Sequence, residues 1–472
     1  MSQLDSKRYK ATAVMDGGDS VNHDSLNEEQ VNVTPRLADL SVRFWVLLVL
    51  TGIAAGVGAM VMMGILRTVQ HIVLGYHSGE YSVAASHRSD LRLVMILAVG
   101  GLVTGVGLWV MRSHGGTGGE PTQVVRSRSG RLSLVRTLIS GALSEVTVAM
   151  GASLGREAAP QHTGAAVGDA FGRHFGLPPG QRTLLIACGA GAGLAAVYNV
   201  PLAGALFTLE IYLGAASISA ALPAVASASI ATAVAWITLP DHAVYRLPVL
   251  PSPTLSLVIF AVLMGPLLGV VSAGYVKTIA WARTHQPTGR LLLVEPLLVF
   301  TVLGVVAYRY PLLLGNGVDL AQFAFVGSAG LLTLLVLTLL KPLATAGCLR
   351  SGAYGGLFTP TLSFGAVFGA FAGHLWGLAW PGSPMPSYAV VAAAGMLAAA
   401  IDAPITGAAF LIELTHSTTG VLVPILIAVV GATLVARRLD LRSIYTAGSE
   451  SALPTGSERS QRARGPGDPE ST

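Results

Sequence analysis

The chain states one pattern twice, about 200 residues apart, in apolar stretches rich in glycine and alanine. Gly151-Ala-Ser-Leu-Gly155-Arg-Glu157-Ala-Ala-Pro-Gln-His-Thr-Gly164-Ala-Ala-Val-Gly168 aligns without gaps on Gly352-Ala-Tyr-Gly-Gly356-Leu-Phe-Thr-Pro-Thr-Leu-Ser-Phe-Gly365-Ala-Val-Phe-Gly369. Further on, Leu194-Ala-Ala-Val-Tyr-Asn-Val-Pro201-Leu-Ala-Gly204-Ala-Leu-Phe207-Thr-Leu-Glu210 matches Leu397-Ala-Ala-Ala-Ile-Asp-Ala-Pro404-Ile-Thr-Gly407-Ala-Ala-Phe410-Leu-Ile-Glu413. Duplicated halves of glycine-interrupted apolar segments are a common transporter plan, with the substrate held between the halves near mid-membrane. The repeat therefore points to an architecture and to a place for the site.

With 472 residues, 52% of them hydrophobic and 11% charged, and a mean hydropathy of +0.64, the chain lacks the charge to cover a water-soluble globule. It reads as an all-α polytopic membrane protein. Apolar runs long enough, or nearly so, for about 30 Å of hydrocarbon fall at 44–66, 92–112, 183–213, 218–238, 255–283, 291–308, 329–348, 389–414 and 420–436. Others, at 135–153, 158–171 and 357–380, are shorter or broken by Gly and Pro. The expected organisation is a polar, disordered tail over 1–38, a membrane domain over 39–447 with repeats of roughly 39–238 and 255–447, and a second disordered tail over 448–472 with no appended soluble domain.

Lys7, Arg8, Lys10, Arg36 and Arg43 precede the first span, and Arg437, Arg438, Arg442, Arg459, Arg462 and Arg464 follow the last. The positive-inside rule puts both ends in the cytoplasm of a multi-pass cell-membrane protein. The net charge of +5 comes from these flanks; no basic face interleaved with aromatics suggests nucleic acid. Cys188 and Cys348 lie in apolar runs without metal-ligand spacing and read as packing residues, so neither metal nor cofactor is expected.

The functional signal lies where helices break. In lipid, irregular backbone is tolerated only when buried in protein or lining a wet cavity. Gly155-Arg156-Glu157 and Gly355-Gly356-Leu357-Phe358-Thr359-Pro360 are such breaks, each followed by a small-residue helix whose Gly164-x-x-x-Gly168 or Gly365-x-x-x-Gly369 permits close packing. A helix start offers unpaired N–H groups and roughly half a positive charge. Two starts converging on one point make an anion site that needs no fixed cation. A carboxylate such as Glu157 there is held by the groups that would hold an anion, and it leaves by swinging out or taking a proton. The plainer reading of Glu157 is an ion pair with Arg156, which the surrounding break and its repeat partner disfavour.

Gly155-Arg-Glu-Ala-Ala159, Gly356-Leu-Phe-Thr-Pro360 and Asn199-Val-Pro-Leu-Ala-Gly-Ala-Leu-Phe-Thr-Leu-Glu210, with Tyr445 after the last span, resemble the CLC family of chloride channels and chloride/proton antiporters over residues 44–447. The resemblance implies an inverted repeat of about eighteen broken, tilted helices and a homodimer with an anion pathway in each subunit. It also implies chloride or a similar small anion as cargo, with membrane lipid around. By the same resemblance Glu157 is the gating glutamate, flanked at the outer anion position by Gly155, Arg156 and Ala158. The N–H groups of Leu357 and Phe358 and the Tyr445 hydroxyl then donate to the central anion.

Three departures stand out. The family's Gly-Ser-Gly-x-Pro, whose Ser hydroxyl meets the central anion, is here Gly116-Thr-Gly-Gly-Glu-Pro121. Aligning the hydroxyl puts Thr117 at the site, aligning the proline puts Gly118 there, and the first is preferred. The usual Gly-Pro after the gate is Ala158-Ala159, with Pro160 one residue later, which bears on how freely Glu157 moves. The antiporters' internal proton glutamate, directly after the residue matching Glu210, is Ile211. The expectation is therefore a passive channel, with a proton-coupled exchanger as the alternative and Glu145, Glu210 and His162 as candidate proton carriers.

Other features have plainer accounts. Asn199 and Asp402, two residues before Pro201 and Pro404, read as helix-start caps. Glu210 and Glu413, being repeat mates, read first as acceptors for backbone N–H groups. Arg156 and Arg350 are candidates for raising anion concentration in the vestibules, or equally salt-bridge partners. Gly151-Ala-Ser153-Leu-Gly155 fits a nucleophile elbow literally, with His162 and His174 downstream, but such an elbow needs a strand before it and an α/β sheet below, so an enzyme is not expected. An organic-anion or amino-acid transporter on another inverted-repeat fold shares the repeat logic but has no reason to combine these motifs with Tyr445.

Overall fold

The computed structural model describes residues 35–447 except 76–80, 87–89, 215–216, 240, 249, 251, 328, 417–420 and 442. The expected tails, apart from residues 35–38, and the basic residues Lys7, Arg8, Lys10, Arg442, Arg459, Arg462 and Arg464 lie outside the described residues. A 3-10 turn over Leu37–Asp39 leads into the first helix.

Seventeen α-helices follow among the described residues: α1 (Val42–Leu74), α2 (Tyr81–Ser86), α3 (Asp90–Ser113), α4 (Pro121–Ser127), α5 (Leu134–Ala149), α6 (Ala158–His174), α7 (Pro179–Tyr198), α8 (Pro201–Phe207), α9 (Ile218–Ala235), α10 (Leu255–Thr284), α11 (Leu291–Arg309), α12 (Val318–Val326), α13 (Leu331–Arg350), α14 (Phe358–Ala379), α15 (Met385–Ile401), α16 (Pro404–Thr415) and α17 (Leu422–Arg438). Seven of them are long and apolar enough to cross a membrane. The protein is a multi-pass, all-α membrane protein.

Two long apolar runs are not single helices. The run 183–213 breaks at Asn199, and α8 then continues as a π-helical turn over Thr208–Leu213; the run 389–414 breaks at Asp402. Both break residues are left-handed, with φ of 58° and 53°. They end the preceding helix rather than cap the next one, a correction to the helix-start reading; Val200 and Ala403 hold the N-cap positions. Short polar side chains tolerate the left-handed region, and proline then restarts the helix without missing a hydrogen bond.

The small residues do the expected packing. A methyl group on Gly164 would lie 2.0 Å from the Gly189 carbonyl oxygen, and one on Gly193 would lie 2.1 Å from that of Pro160. The α6 and α7 backbones thus touch directly. In the second half, Gly365 and Gly369 bring α14 against α15, where an added methyl group would lie 2.5 Å from the Cβ of Met396 and 2.3 Å from that of Ala392. Close approach of these helix pairs fixes where α6 and α14 begin.

The duplicated glutamates are exchanged between halves. Glu210 accepts from the backbone N–H of Ile405 (3.3 Å) and of Thr406 (2.6 Å), at the start of α16. Glu413 accepts from the N–H groups of Leu202 (3.0 Å) and Ala203 (2.6 Å), at the start of α8. Each half caps the other's helix, placing a negative charge at a positive helix end.

Candidate functional site

The two broken segments meet. Gly155 and Gly356, equivalent positions of the repeat, form an isolated antiparallel bridge, with N–H to O=C distances of 2.7 Å in both directions. The helix starts that follow, at Ala158 and Phe358, are thereby brought to one point.

Glu157 sits at the N-cap of α6 but does not cap its own helix. Its side chain crosses to the other half. Oε1 accepts the N–H of Phe358 at 2.6 Å, and Oε2 accepts the hydroxyls of Tyr198 at 2.9 Å and Thr359 at 3.1 Å. Tyr198 and Thr359 also touch each other, with their oxygens 2.5 Å apart. The carboxylate is 1% exposed and has three charge-assisted donors. Only glycine makes room for it, because a methyl group on Gly155 would lie 2.2 Å from Oε2 and one on Gly356 2.0 Å from Oε1.

Beside this cluster lies a cavity of about 440 Å³ whose wall includes Thr117, Glu157, Ala158, His162, Leu357 and Tyr445. Six residues singled out from sequence therefore share one space. Thr117 belongs to the wall; Gly118 instead faces Thr137. Among the described residues the buried Tyr445 hydroxyl makes no hydrogen bond of ordinary geometry, although the Gln161 side chain lies within its reach, and its ring packs edge-on against Phe207 at 5.4 Å. Phe410, the repeat mate of Phe207, packs on Phe358 at 4.0 Å.

Of the candidate site residues, Gly155, Arg156, Glu210 and Glu145 are not in that cavity wall. The Gly155 N–H is spent on the bridge and is not free for an anion. Arg156 turns away, lies over the Tyr198 ring at 5.2 Å, and lines a separate small cavity with Arg67 and His242. Glu210 has both oxygens on the α16 start, so its observed work is capping. Glu145 is fully buried on α5, and neither of its oxygens has a hydrogen-bond partner among the described residues. His162 has Glu120 at 3.8 Å from Nε2 and the Tyr354 hydroxyl on its Nδ1. Ile211 is buried in the core. Arg350 is ion-paired with Glu295 at 2.5 Å, so its charge is already answered.

Tyr198 and Gly356 were not read from the sequence as site residues. Tyr198 had a signal nonetheless: its repeat mate is Ile401, so an aromatic hydroxyl stands where the duplicate has hydrocarbon.

Comparison with known proteins agrees with this fold. A family model described as "Voltage gated chloride channel" matches residues 112–437. The chain is 32% identical over 417 residues to a putative chloride channel protein ClcB-like from Ralstonia nicotianae, covering 84% of this chain and 94% of that one. It is 31% identical to the voltage-gated ClC-type chloride channel ClcB of Salmonella typhi, covering 84% and 96%. Among solved structures, a slow cyanobacterial Cl⁻/H⁺ antiporter superposes with a TM-score of 0.77 at 22% identity, over 89% of this chain and all of that one. A CLC-type fluoride/proton antiporter superposes at 0.70 and 20% identity, over 86% and 97%. The chain belongs to the CLC family.

Proposed function

We propose that this protein carries chloride or a similar small anion across the cell membrane along a pathway gated by Glu157. The observation that carries the reading is the 2.6 Å hydrogen bond from the Phe358 N–H to Glu157 Oε1 at the edge of the cavity. An anion passing through needs the same donors at the start of α14. Carboxylate and chloride therefore exclude each other. Protonation of Glu157 removes its charge and weakens all three of its contacts, so flux rises as pH falls.

Thr117, Leu357 and Tyr445 supply the remaining wall of the anion site, with Ala158 at the start of α6. Among the described residues the Tyr445 hydroxyl has no acceptor, which leaves it able to donate to an anion. The chain works as a homodimer with both ends in the cytoplasm, by its membership of the family and the basic flanks Arg437 and Arg438.

Transport runs as a passive channel, because Ile211 gives protons no titratable stop where the family's antiporters have a glutamate. The alternative is proton-coupled exchange through a displaced acceptor such as Glu145. Its support is the buried, unpartnered Glu145 carboxyl, with Glu157 and Arg156 the charged groups nearest in effect. The two solved structures compared above are themselves antiporters. Proteoliposomes under a chloride gradient with an internal pH dye test the reading. Chloride efflux that rises in Glu157→Ala, without sustained uphill proton movement, is expected. Proton movement in fixed ratio to chloride, abolished in Glu145→Gln with chloride flux retained, would replace the channel by the exchanger.

A further inference from the structure

Between Glu120 and Glu145 the chain carries Arg126, Arg128, Arg131 and Arg136 and no acidic residue. The fold brings two of these, Arg131 and Arg136, together with Arg173 of α6 around another cavity, of about 620 Å³, whose wall contains no carboxylate. Residues of the loop 115–119, the turn at 131–133 and the first residues of α5 complete that wall. It shares only Thr117 with the cavity beside Glu157.

The charges around this cavity are held but not cancelled. Arg136 donates to the Gly115 carbonyl at 2.8 Å, a bond that positions the guanidinium and leaves its charge and most of its donors free. Arg173 lies 3.1 Å from Asp169 and donates to the Leu132 carbonyl at 3.3 Å. Asp169 is fully buried and also pairs with Arg182 at 2.6 Å, so one carboxylate answers two arginines. Among the described residues Arg131 has no hydrogen bond or ion pair, and it is exposed. Four guanidiniums, of Arg131, Arg136, Arg173 and Arg182, thus stand against one carboxylate.

The rim of the cavity is apolar on one side. Val135 lines it, and Val135, Leu138 and Ile139 are all exposed, at the spacing that puts them on one face of α5. In a membrane protein such a face meets hydrocarbon. The basic cavity therefore opens onto a lipid-facing stripe. Guanidiniums match phosphate oxygens in geometry as well as charge, and basic pockets at the ends of membrane helices suit anionic lipid headgroups. A molecule with a phosphate at one end and hydrocarbon at the other uses both features at once, whereas a free phosphate uses the cavity alone.

We propose that this cavity binds the phosphate headgroup of an anionic membrane phospholipid, with an acyl chain lying along Val135, Leu138 and Ile139. The lipid is bound and not carried, and the site is independent of the transport reading above.

The experiment is native mass spectrometry of the full-length protein in detergent, titrated with phosphatidylglycerol, with phosphatidylcholine, and with phosphatidylglycerol in the presence of inorganic phosphate. Wild type should retain phosphatidylglycerol in preference to phosphatidylcholine, and inorganic phosphate should not displace it. Arg131→Gln should weaken phosphatidylglycerol on the order of fivefold, the effect of one basic residue close to an anionic headgroup. Arg131 makes no bond within the described protein, so its replacement leaves the fold intact. Arg131→Lys should recover most of the loss. Arg438→Gln removes the same charge from the end of α17 and should leave the affinity unchanged. Equal retention of the two lipids overturns the proposal, as does a loss in Arg438→Gln as large as in Arg131→Gln, which would mean diffuse attraction to a basic surface. Full displacement of the lipid by inorganic phosphate would overturn it too, because the cavity would then take a free anion and not a headgroup.

Discussion

The two broken segments, 155–157 and 356–359, share a backbone and divide the chemistry. Gly155 and Gly356 do the same thing for each other across a two-way bridge. Two residue pairs on, at Glu157 and Phe358, the halves differ completely: the first supplies a carboxylate and the second the N–H that holds it. Glu210 and Glu413 show the opposite case, since both halves kept the same residue and each caps the other's helix. Where the duplicate residues agree, their work is structural and reciprocal. Where they differ, as at Glu157 against Phe358 and Tyr198 against Ile401, one half supplies a carboxylate and the differing residues the donors that hold it.

That contrast is most sharply broken by adding one carbon to the bridge. Gly356→Ala, and separately Gly155→Ala, would put a methyl group into the space of the Glu157 carboxylate, within 2.2 Å of an oxygen in each case. Neither glycine has a positive φ, so alanine fits the backbone. Both variants should therefore behave like Glu157→Ala, with raised chloride efflux and a flattened pH response. Wild-type pH dependence in Gly356→Ala would show that the carboxylate does not rest on α14.

A smaller effect is expected from Tyr198→Phe, which deletes one of three donors to the ionised gate. A hydrogen bond to a charged group contributes about 1.5–3 kcal/mol, in this case to the ionised form alone. Losing it makes Glu157 easier to protonate, so the rise of flux on acidification should move to higher pH, read from efflux between pH 4.5 and about pH 8. A shift to lower pH would mean that Tyr198 disfavours the ionised gate.

The smallest effects belong to the duplicated acids. Glu210→Gln and Glu413→Gln should each lower thermal stability in detergent by the equivalent of about 1 kcal/mol, as loss of a charged helix cap does, and leave anion selectivity alone. Equal losses support reciprocity. A loss of proton coupling confined to Glu210→Gln would return that residue to the proton pathway.

Much of this was legible beforehand, and the reason is the repeat. The glycine spacing announces the helix breaks and a closely packed small-residue helix after each. The direction of the Glu157 side chain was not legible, because whether a carboxylate caps its own helix or a neighbour's depends on how two distant segments cross. For the same reason the position of Arg156, over the Tyr198 ring and in a cavity of its own, could not be read from its neighbours in sequence. The left-handed Asn199 and Asp402 were misplaced by one helix, since short polar residues before a proline suit the end of one helix as well as the start of the next.

The central claim is that Glu157 and chloride compete for the donors at the start of α14. Isothermal titration of chloride into purified protein at pH 7.5 and at pH 5 (both on the order of one to three units from the ordinary carboxyl range) tests it directly, in wild type and in Glu157→Ala. Wild type should bind chloride more tightly at the lower pH. Glu157→Ala should bind tightly at both and nearly equally. Equal affinity in wild type and Glu157→Ala at both pH values would contradict the account, because a carboxylate that occupies the site cannot be removed without effect on the anion that replaces it.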